Sequence, residues 1–406
     1  HIEEFIGVSG ENAGLPQLPD QKLLPALEMN CLEKHVKERI AAHYNDRKMI
    51  VARVAVLTVP HNGRGRCQSR NLCARGCPYG AYFSSNSSTL PAAAKTGNMT
   101  LRPFSIVQSL IYDADKNRVT GVRVIDAETH DTYEFFSKIV FLNSGTLNST
   151  LILMNSSSRH FPNGFANSSG VLGHYLMDHQ EAGGAIGIYD GFEDKYYHGR
   201  KPNGMYIPRF RNVAEKRSDY VRGFAYECYS GRSNWQQGYY RPGMGADFKD
   251  EISKPGPWNM LLIGYGECLP NYNNQVTLNK DKKDRWGLPT LNLDMRYAEN
   301  ELTMRKDMQS SAEEILAAGG MKNISPLPLF PTPGGCIHEM GTARMGNDPK
   351  ASVLIRFNQS HDVPNLFITD GSCMASTACQ NPSLTYMALT ARACDYAVTE
   401  LKKGNL

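Results

Sequence analysis

The sequence predicts an α/β chain of the α+β kind, with a parallel-sheet domain assembled from discontinuous segments and a second domain built on an antiparallel β-sheet. Three observations carry this. Lys138–Leu142 (KIVFL) runs into the small-residue turn NSGTLNST and then a helix reaching Met154. An apolar strand, a tight turn and a helix make a parallel-sheet unit. A similar unit lies far downstream, where Asn365–Thr369 passes through Asp370-Gly371-Ser372 to Asn381-Pro382 and a long apolar helix. Between the two, from Ala182 to about Glu267, the chain changes to strands rich in Tyr, Phe and Gly, the composition of a large antiparallel sheet. The implied division is a connecting or lid segment at 1–60, the parallel-sheet domain at 61–175 and 361–406, and the antiparallel-sheet, substrate-binding domain at 176–360.

In order, residues 1–30 are rich in Pro and Gly and read as a wrapping segment. Leu32–Tyr44 has helical periodicity, and Met49–Thr58 alternates like a strand. Thr89–Thr96 is a short helix. Met99–Arg102, Ser105–Tyr112 and Val119–Ile125 form a β-meander to which Tyr133–Phe136 adds. Gln275–Leu278 and Leu291–Met295 are expected to extend the large sheet. Ala298–Ala318 is an amphipathic helix stopped by Gly319-Gly320.

The 406 residues carry 44 basic and 40 acidic side chains, a balance that gives no electrostatic case for nucleic acid. No apolar run approaches the ~20 residues that span a bilayer. No charged-then-apolar signal segment opens the chain, whose beginning reads as the middle of a protein.

Three of the ten cysteines are bunched in RCQSRNLCARGCPYGAYF, as Cys67, Cys73 and Cys77. Thiolates gathered on a short loop can ligate a soft metal centre, and a disulfide with one free thiol is the other possibility. The remaining seven are expected to be small buried apolar residues. His338 sits in GGCIHEMGTARMG, a tight Gly-rich turn that would hold a general base in place. Asn381 fits a helix N-cap with Pro382 as first helical residue, and its side chain can still face a pocket. Asp370 serves either as a turn residue or at a cofactor. The dinucleotide fingerprint G-x-G-x-x-G is missing; Gly243-Met244-Gly245 is followed by no helical pattern.

With HEMGTARMG and TDGSCMASTACQNPSLTYMALTARA in hand, the sequence resembles the C-terminal two-thirds of a glucose–methanol–choline family flavoprotein, of the bacterial gluconate/glucose dehydrogenase type. The resemblance spans essentially the whole chain and is densest at 67–82, 138–154 and 334–393. It implies a FAD-binding domain that is incomplete without the family's N-terminal Rossmann segment, which this sequence lacks. It implies His338 as catalytic base and Asn381 as its substrate-holding partner. Asn143, Ser144, Gly145, Asp370, Gly371 and Pro382 would line the FAD, with Val107 at the adenine. Cys67, Cys73 and Cys77 would hold a 3Fe-4S cluster of the kind some sugar dehydrogenases of the family carry. The activity implied is oxidation of a hydroxyl of a sugar, sugar acid or glycoside, with electrons leaving to a haem or quinone acceptor. A small chaperone-like subunit, a cytochrome c subunit and a periplasmic or inner-membrane-face location go with it. An oxygen-using oxidase of the same fold, and a non-catalytic iron–sulfur or scaffold fragment, remain the alternatives.

Overall fold

The computed structural model describes residues 1–16, 21–70, 72–196, 204–232, 238, 241–328 and 333–406. They divide into two compact units, His1–Met99 with Glu181–Gly266 and Leu302–Phe330, and Thr100–Gln180 with Glu267–Glu301 and Pro331–Leu406. Packing thus groups all of residues 1–99 with the large sheet. It groups 267–301 and 331–360 with the strand–turn–helix units, unlike the division expected from sequence.

The first unit is organised on a six-stranded sheet in the order Ile50–Val51, Met205–Ile207, Phe224–Arg232, Trp258–Gly266, Gln180–Tyr189, Lys322–Pro326. Phe224 to Arg232 pairs antiparallel with Gly266 to Trp258. Along Trp258–Gly266 every second residue is buried, the period-two pattern of a half-covered strand. Trp258, Met260 and Leu262 meet Phe224, Tyr226 and Cys228 in one core. Helix Cys31–His43 adds Leu32, Val36 and Ile40 to it, and helix Glu299–Ala318 adds Met304, Met308 and Ile315. Each such side chain contributes ~1.5–3 kcal/mol when fully buried. Asn30 and Glu33 close the start of the first helix in a reciprocal capping box, each side chain accepting the other's backbone N–H at 2.9 Å. Met49–Thr58 keeps only Ile50–Val51 as strand. A helix, Gly245–Ser253, does follow Gly243-Met244-Gly245, but Phe248 stands where the fingerprint needs its third glycine. Of the aromatic residues in this Tyr-rich stretch, Tyr206, Tyr226 and Tyr229 lie on the sheet, with Tyr226 fully buried in the core. Trp235, Tyr239 and Tyr240 lie outside the described residues.

The second unit holds the meander Ser105–Asp113, Arg118–Asp126 and Thr132–Phe136, all antiparallel; Met99–Arg102 is not part of it. It also holds the expected parallel pair, Leu366–Ile368 beside Val140–Leu142. Buried Asn365 ties the two sheets together. Its amide nitrogen donates to the Val119 and Lys138 carbonyls at 2.6 and 2.8 Å, and its Oδ1 accepts the Val119 N–H at 3.0 Å. Gln275–Lys283 and Pro289–Asp294 do not extend the large sheet; they pair with each other as a separate hairpin. Alternation marks a strand without naming its partner, and the outer half of this hairpin, Lys280–Lys283, is charged. Helices Thr146–Asn155 and Ser383–Lys402 follow the two parallel strands. The second begins one residue later than expected, with Pro382 at the N-cap and Asn381 outside it.

Candidate active site

All the groups around His338 belong to the second unit. Segment Met340–Met345 runs between two others. Its N–H groups at Gly341, Ala343 and Met345 reach the carbonyls of Gly371, Ser372 and Cys373, at 3.0, 2.9 and 2.9 Å. On its other side Met340 and Met177 exchange backbone hydrogen bonds at 2.8 and 2.9 Å. Gly341 is required there: its φ is +88°, and a Cβ would collide with the Tyr175 carbonyl oxygen. The lacing places Asp178 and His179, which follow Met177, against Cys336 and His338.

Asp178 builds the turn that carries His338. Its carboxylate accepts the backbone N–H groups of His179 at 2.8 Å, His338 at 2.9 Å and Cys336 at 3.2 Å. Outside a helix, two N–H groups two residues apart face one anion in a nest, where a left-handed residue turns them to the same side. Ile337 does so, with φ +57°, a costly conformation for a β-branched residue, and its side chain is 77% exposed. Burial raises the Asp178 carboxyl to about 6, against the three N–H groups that favour its charged form.

The ring of His338 is half-buried and meets His179 edge to face, Nδ1 to Nδ1 at 3.0 Å. Cys336 Sγ lies 3.1 Å from the same His338 nitrogen. His179 is fully buried, and burial lowers its pKa to about 4, so the imidazole is neutral at pH 7. Its Nε2 lies 3.3 Å from the Thr377 carbonyl. Neither Asp178 nor His179 was singled out from the sequence, because no local spacing links them to a histidine 160 residues on. The available signal was two ionisable residues at the mouth of an apolar strand, where burial demands partners.

Among the described residues, one set of three ligand-type side chains converges within 4.8 Å: His179, Cys336 and His338. The 3.0 Å contact between its two imidazoles has hydrogen-bond length. Two imidazoles on one zinc at ~2.05 Å would stand roughly 3.3 Å apart.

The other expected residues fall in two places. Asp370 is buried, and its carboxylate accepts Gly145 N–H at 3.0 Å, Ser149 Oγ at 2.5 Å, and Ser372 N–H and Oγ at 3.0 and 2.5 Å. It pins the ends of the two parallel strands to each other. Asn143, Ser144 and Gly145 are exposed at that junction, and no atom lies within 4 Å of where a Gly145 side chain would begin. Gly371 is buried next to Asp370. Val107 is half-buried on the meander and packs on the core behind it. Asn381 is exposed, and Pro382 beside it is buried.

Cys67, Cys73 and Cys77 lie in the first unit and do not form a set that converges within 4.8 Å, the span for a single ion. A cluster of several irons holds its thiolates further apart than that. Cys67 packs beside Ala52, Val54 and Val56, and its sulfur accepts the Ser69 N–H at 3.4 Å. Cys73 is exposed. Burial opposes ionisation of Cys77, but the backbone N–H groups of Tyr82, Tyr79, Ala81 and Gly80 around its sulfur outweigh it and lower its pKa. Of the seven scattered cysteines five are buried; Cys394 is exposed and Cys31 half-buried, contrary to expectation.

Two family models match the chain, both described as GMC oxidoreductase, over residues 10–181 and 270–390. The chain is 29% identical over 350 residues to the 2-methyl-1,2-propanediol dehydrogenase of Mycolicibacterium austroafricanum, covering 84% of this chain and 62% of that one. It is 30% identical over 356 residues to the fructose dehydrogenase large subunit of Gluconobacter japonicus, with 85% and 62% covered. With the gluconate 2-dehydrogenase flavoprotein of Pantoea cypripedii it shares 25% over 351 residues, 79% and 54%. The chain thus spans roughly three-fifths of the length of these relatives. Among solved structures, pyridoxine 4-oxidase from Mesorbium loti superposes with a TM-score of 0.58 at 18% identity, covering 92% of this chain and 71% of that one. A formate oxidase variant of Aspergillus oryzae gives 0.57 at 16%, covering 78% and 64%. At such identities it is the fold that is shared.

Proposed function

The chain belongs to the GMC oxidoreductase family, and from that premise we propose that it is the dehydrogenase component of an FAD-dependent enzyme that oxidises a hydroxyl of a sugar, sugar acid or glycoside. The observation that carries this is His338, a half-buried imidazole on a turn fixed by the Cys336 and His338 N–H groups donating to the buried Asp178. A base so held can take the proton of a substrate hydroxyl without first being ordered. Asn381, exposed just before the last helix, would hold the substrate oxygen. Relatives named for fructose, gluconate and a propanediol make a hydroxylated substrate the natural class.

The residues present fit the flavin nucleotide. Asn143, Ser144 and Gly145 are exposed at the carboxyl ends of two parallel strands, where such ligands bind, and nothing lies within 4 Å of where a Gly145 side chain would begin. With Gly371, Pro382 and Val107 they would hold FAD, which when bound supplies the acceptor for the hydride leaving the carbinol carbon. Asp370 would act through the turn it pins, since its oxygens already accept four donors.

The cysteine loop fits an iron–sulfur centre. Backbone N–H groups directed at the sulfurs of Cys67 and Cys77 are what stabilises cluster-bound thiolates. A 3Fe-4S cluster on Cys67, Cys73 and Cys77 would supply one-electron transfer toward a haem or quinone acceptor. A cytochrome c subunit and a small chaperone-like subunit belong to the same proposal; the Gluconobacter relative is itself named a large subunit. A periplasmic or inner-membrane-face location is part of the same proposal. Among the described residues no helix is long and apolar enough to cross a membrane.

The test is anaerobic bleaching of bound flavin in the whole protein, with fructose, gluconate and simple diols as candidates. His338→Ala should keep the flavin absorbance and lose ~10²–10⁴ in bleaching rate. Unchanged bleaching would rule out His338 as base. Iron analysis with electron paramagnetic resonance decides the cluster, and iron-free active protein would turn the assignment toward an oxidase.

A further inference from the structure

We propose that His179 is a positioning residue that fixes the tautomer of His338, holding its proton on Nδ1 and its lone pair on Nε2, and that Thr377 sets His179 in turn. This rests on His338 being the base.

The assignment follows the direction of each hydrogen bond. The Thr377 carbonyl can only accept, so the His179 Nε2 that faces it at 3.3 Å carries a hydrogen. A neutral imidazole has one proton, and full burial keeps His179 neutral. Its Nδ1 is therefore an acceptor. That nitrogen lies 3.0 Å from His338 Nδ1, a distance two lone pairs would not adopt, so His338 Nδ1 donates. Cys336 Sγ, 3.1 Å from the same nitrogen, is a weak acceptor that can share this proton. The basic nitrogen of neutral His338 is then Nε2. When Nε2 takes a proton, Nδ1–H still donates to His179, and the imidazolium keeps a neutral partner that cannot compete for the charge.

Thr377 is held independently. It is buried, its hydroxyl accepts the Cys268 N–H at 3.1 Å, and Ala378 beside it is left-handed at φ +56°. The residue whose carbonyl orients His179 is thus tied to Cys268, not held by His179 itself. A histidine that merely filled the core would satisfy both nitrogens with backbone or water. Here one nitrogen of the buried ring meets the ring of the half-buried one.

The experiment is two-bond ¹H–¹⁵N correlation of imidazoles in the whole protein labelled at histidine, with the His338 signals identified by their loss in His338→Ala. The wild type should show His338 as the Nδ1–H tautomer. His179→Leu should shift it toward Nε2–H. His179→Asn, whose Oδ1 falls near the lost Nδ1, should restore Nδ1–H. Substrate-driven flavin bleaching should slow ~10²-fold in His179→Leu with little change in KM, and recover to within several-fold in His179→Asn. An Nε2–H wild type, or one tautomer common to all three proteins, overturns the proposal; the wild-type spectrum decides even if the leucine variant does not fold. Should the tautomers shift as stated while even His338→Ala bleaches normally, the positioning stands and it is the role of His338 as base that falls.

Discussion

The carboxylate of Asp178 accepts the backbone N–H of His338 at 2.9 Å across 160 residues of sequence. The same carboxylate holds Cys336 and His179, so three donors lose their acceptor together if it is removed. Asp178→Ala should cost about 3 kcal/mol or more, since hydrogen bonds to a buried charged group are worth ~1.5–3 kcal/mol each. Flavin bleaching should fall at least ~10²-fold as the turn relaxes. Urea unfolding and stopped-flow absorbance measure the two, and a variant of unchanged stability would show that the backbone holds the turn unaided.

Asp178 and His179 titrate in opposite senses. Burial raises Asp178 from ~3.9 to about 6, so the folded state holds this proton more tightly, and the contribution to stability falls as pH rises through that window. Burial lowers His179 from ~6.5 to about 4, so the unfolded chain protonates first, and stability is lost as pH falls from 6.5 through 4. The two slopes oppose each other in the wild type. Relative to it, His179→Asn should lose less stability at pH 4 than at pH 6.5, and Asp178→Asn more, each difference on the order of 3 kcal/mol. Urea midpoints at four pH values would reveal it, and parallel profiles for the two variants would refute it.

Two glycines on either side of the site should respond differently. A Cβ on Gly371 would run into Thr146 Oγ1, the Glu339 carbonyl and the Tyr386 hydroxyl. Gly371→Ala should therefore cost about 1–3 kcal/mol and loosen bound flavin. Gly335 is exposed with nothing within 4 Å, and Gly335→Ala should stay within about 0.5 kcal/mol of wild type. Thermal melts of both settle the comparison.

Asn365→Leu keeps the branched shape of the side chain at the head of its strand and deletes three hydrogen bonds to Val119 and Lys138. The cost should be about 2–4 kcal/mol, because the Val119 N–H and carbonyl left behind are buried. A loss under about 0.5 kcal/mol would mean that water replaces the amide.

Local pattern carried much of this fold. Helix Cys31–His43 and the meander stand within a residue or two of where periodicity puts them. The parallel pairing of Val140–Leu142 with Leu366–Ile368 followed from two apolar runs with the same strand–turn–helix grammar. Partner choice was not legible: Gln275–Lys283 alternates as well in its own hairpin as it would in the large sheet. The turn around His338 was visible as glycine spacing, but its anchor was not. Asp178 has no periodic relation to Cys336 or His338, and its role exists only once Met177 and Met340 are paired. The cysteine loop stood out by its spacing and Asn381 as a helix cap; their roles came from likeness to a family, and their local surroundings, a ring of N–H groups and an exposed side chain, were not readable in advance.

The separation of Asp178 from His338 also sets an order of events. At 5–20 residues per second, a ribosome makes the anchor roughly ten to thirty seconds before the residue it anchors. Through that interval the nascent chain carries Asp178 without the Cys336 and His338 N–H groups it will hold. A contact of such high sequence separation closes only after much of the chain has already folded. The turn that carries His338 is therefore a late acquisition, and a chain halted before Cys336 holds Asp178 without the turn it anchors.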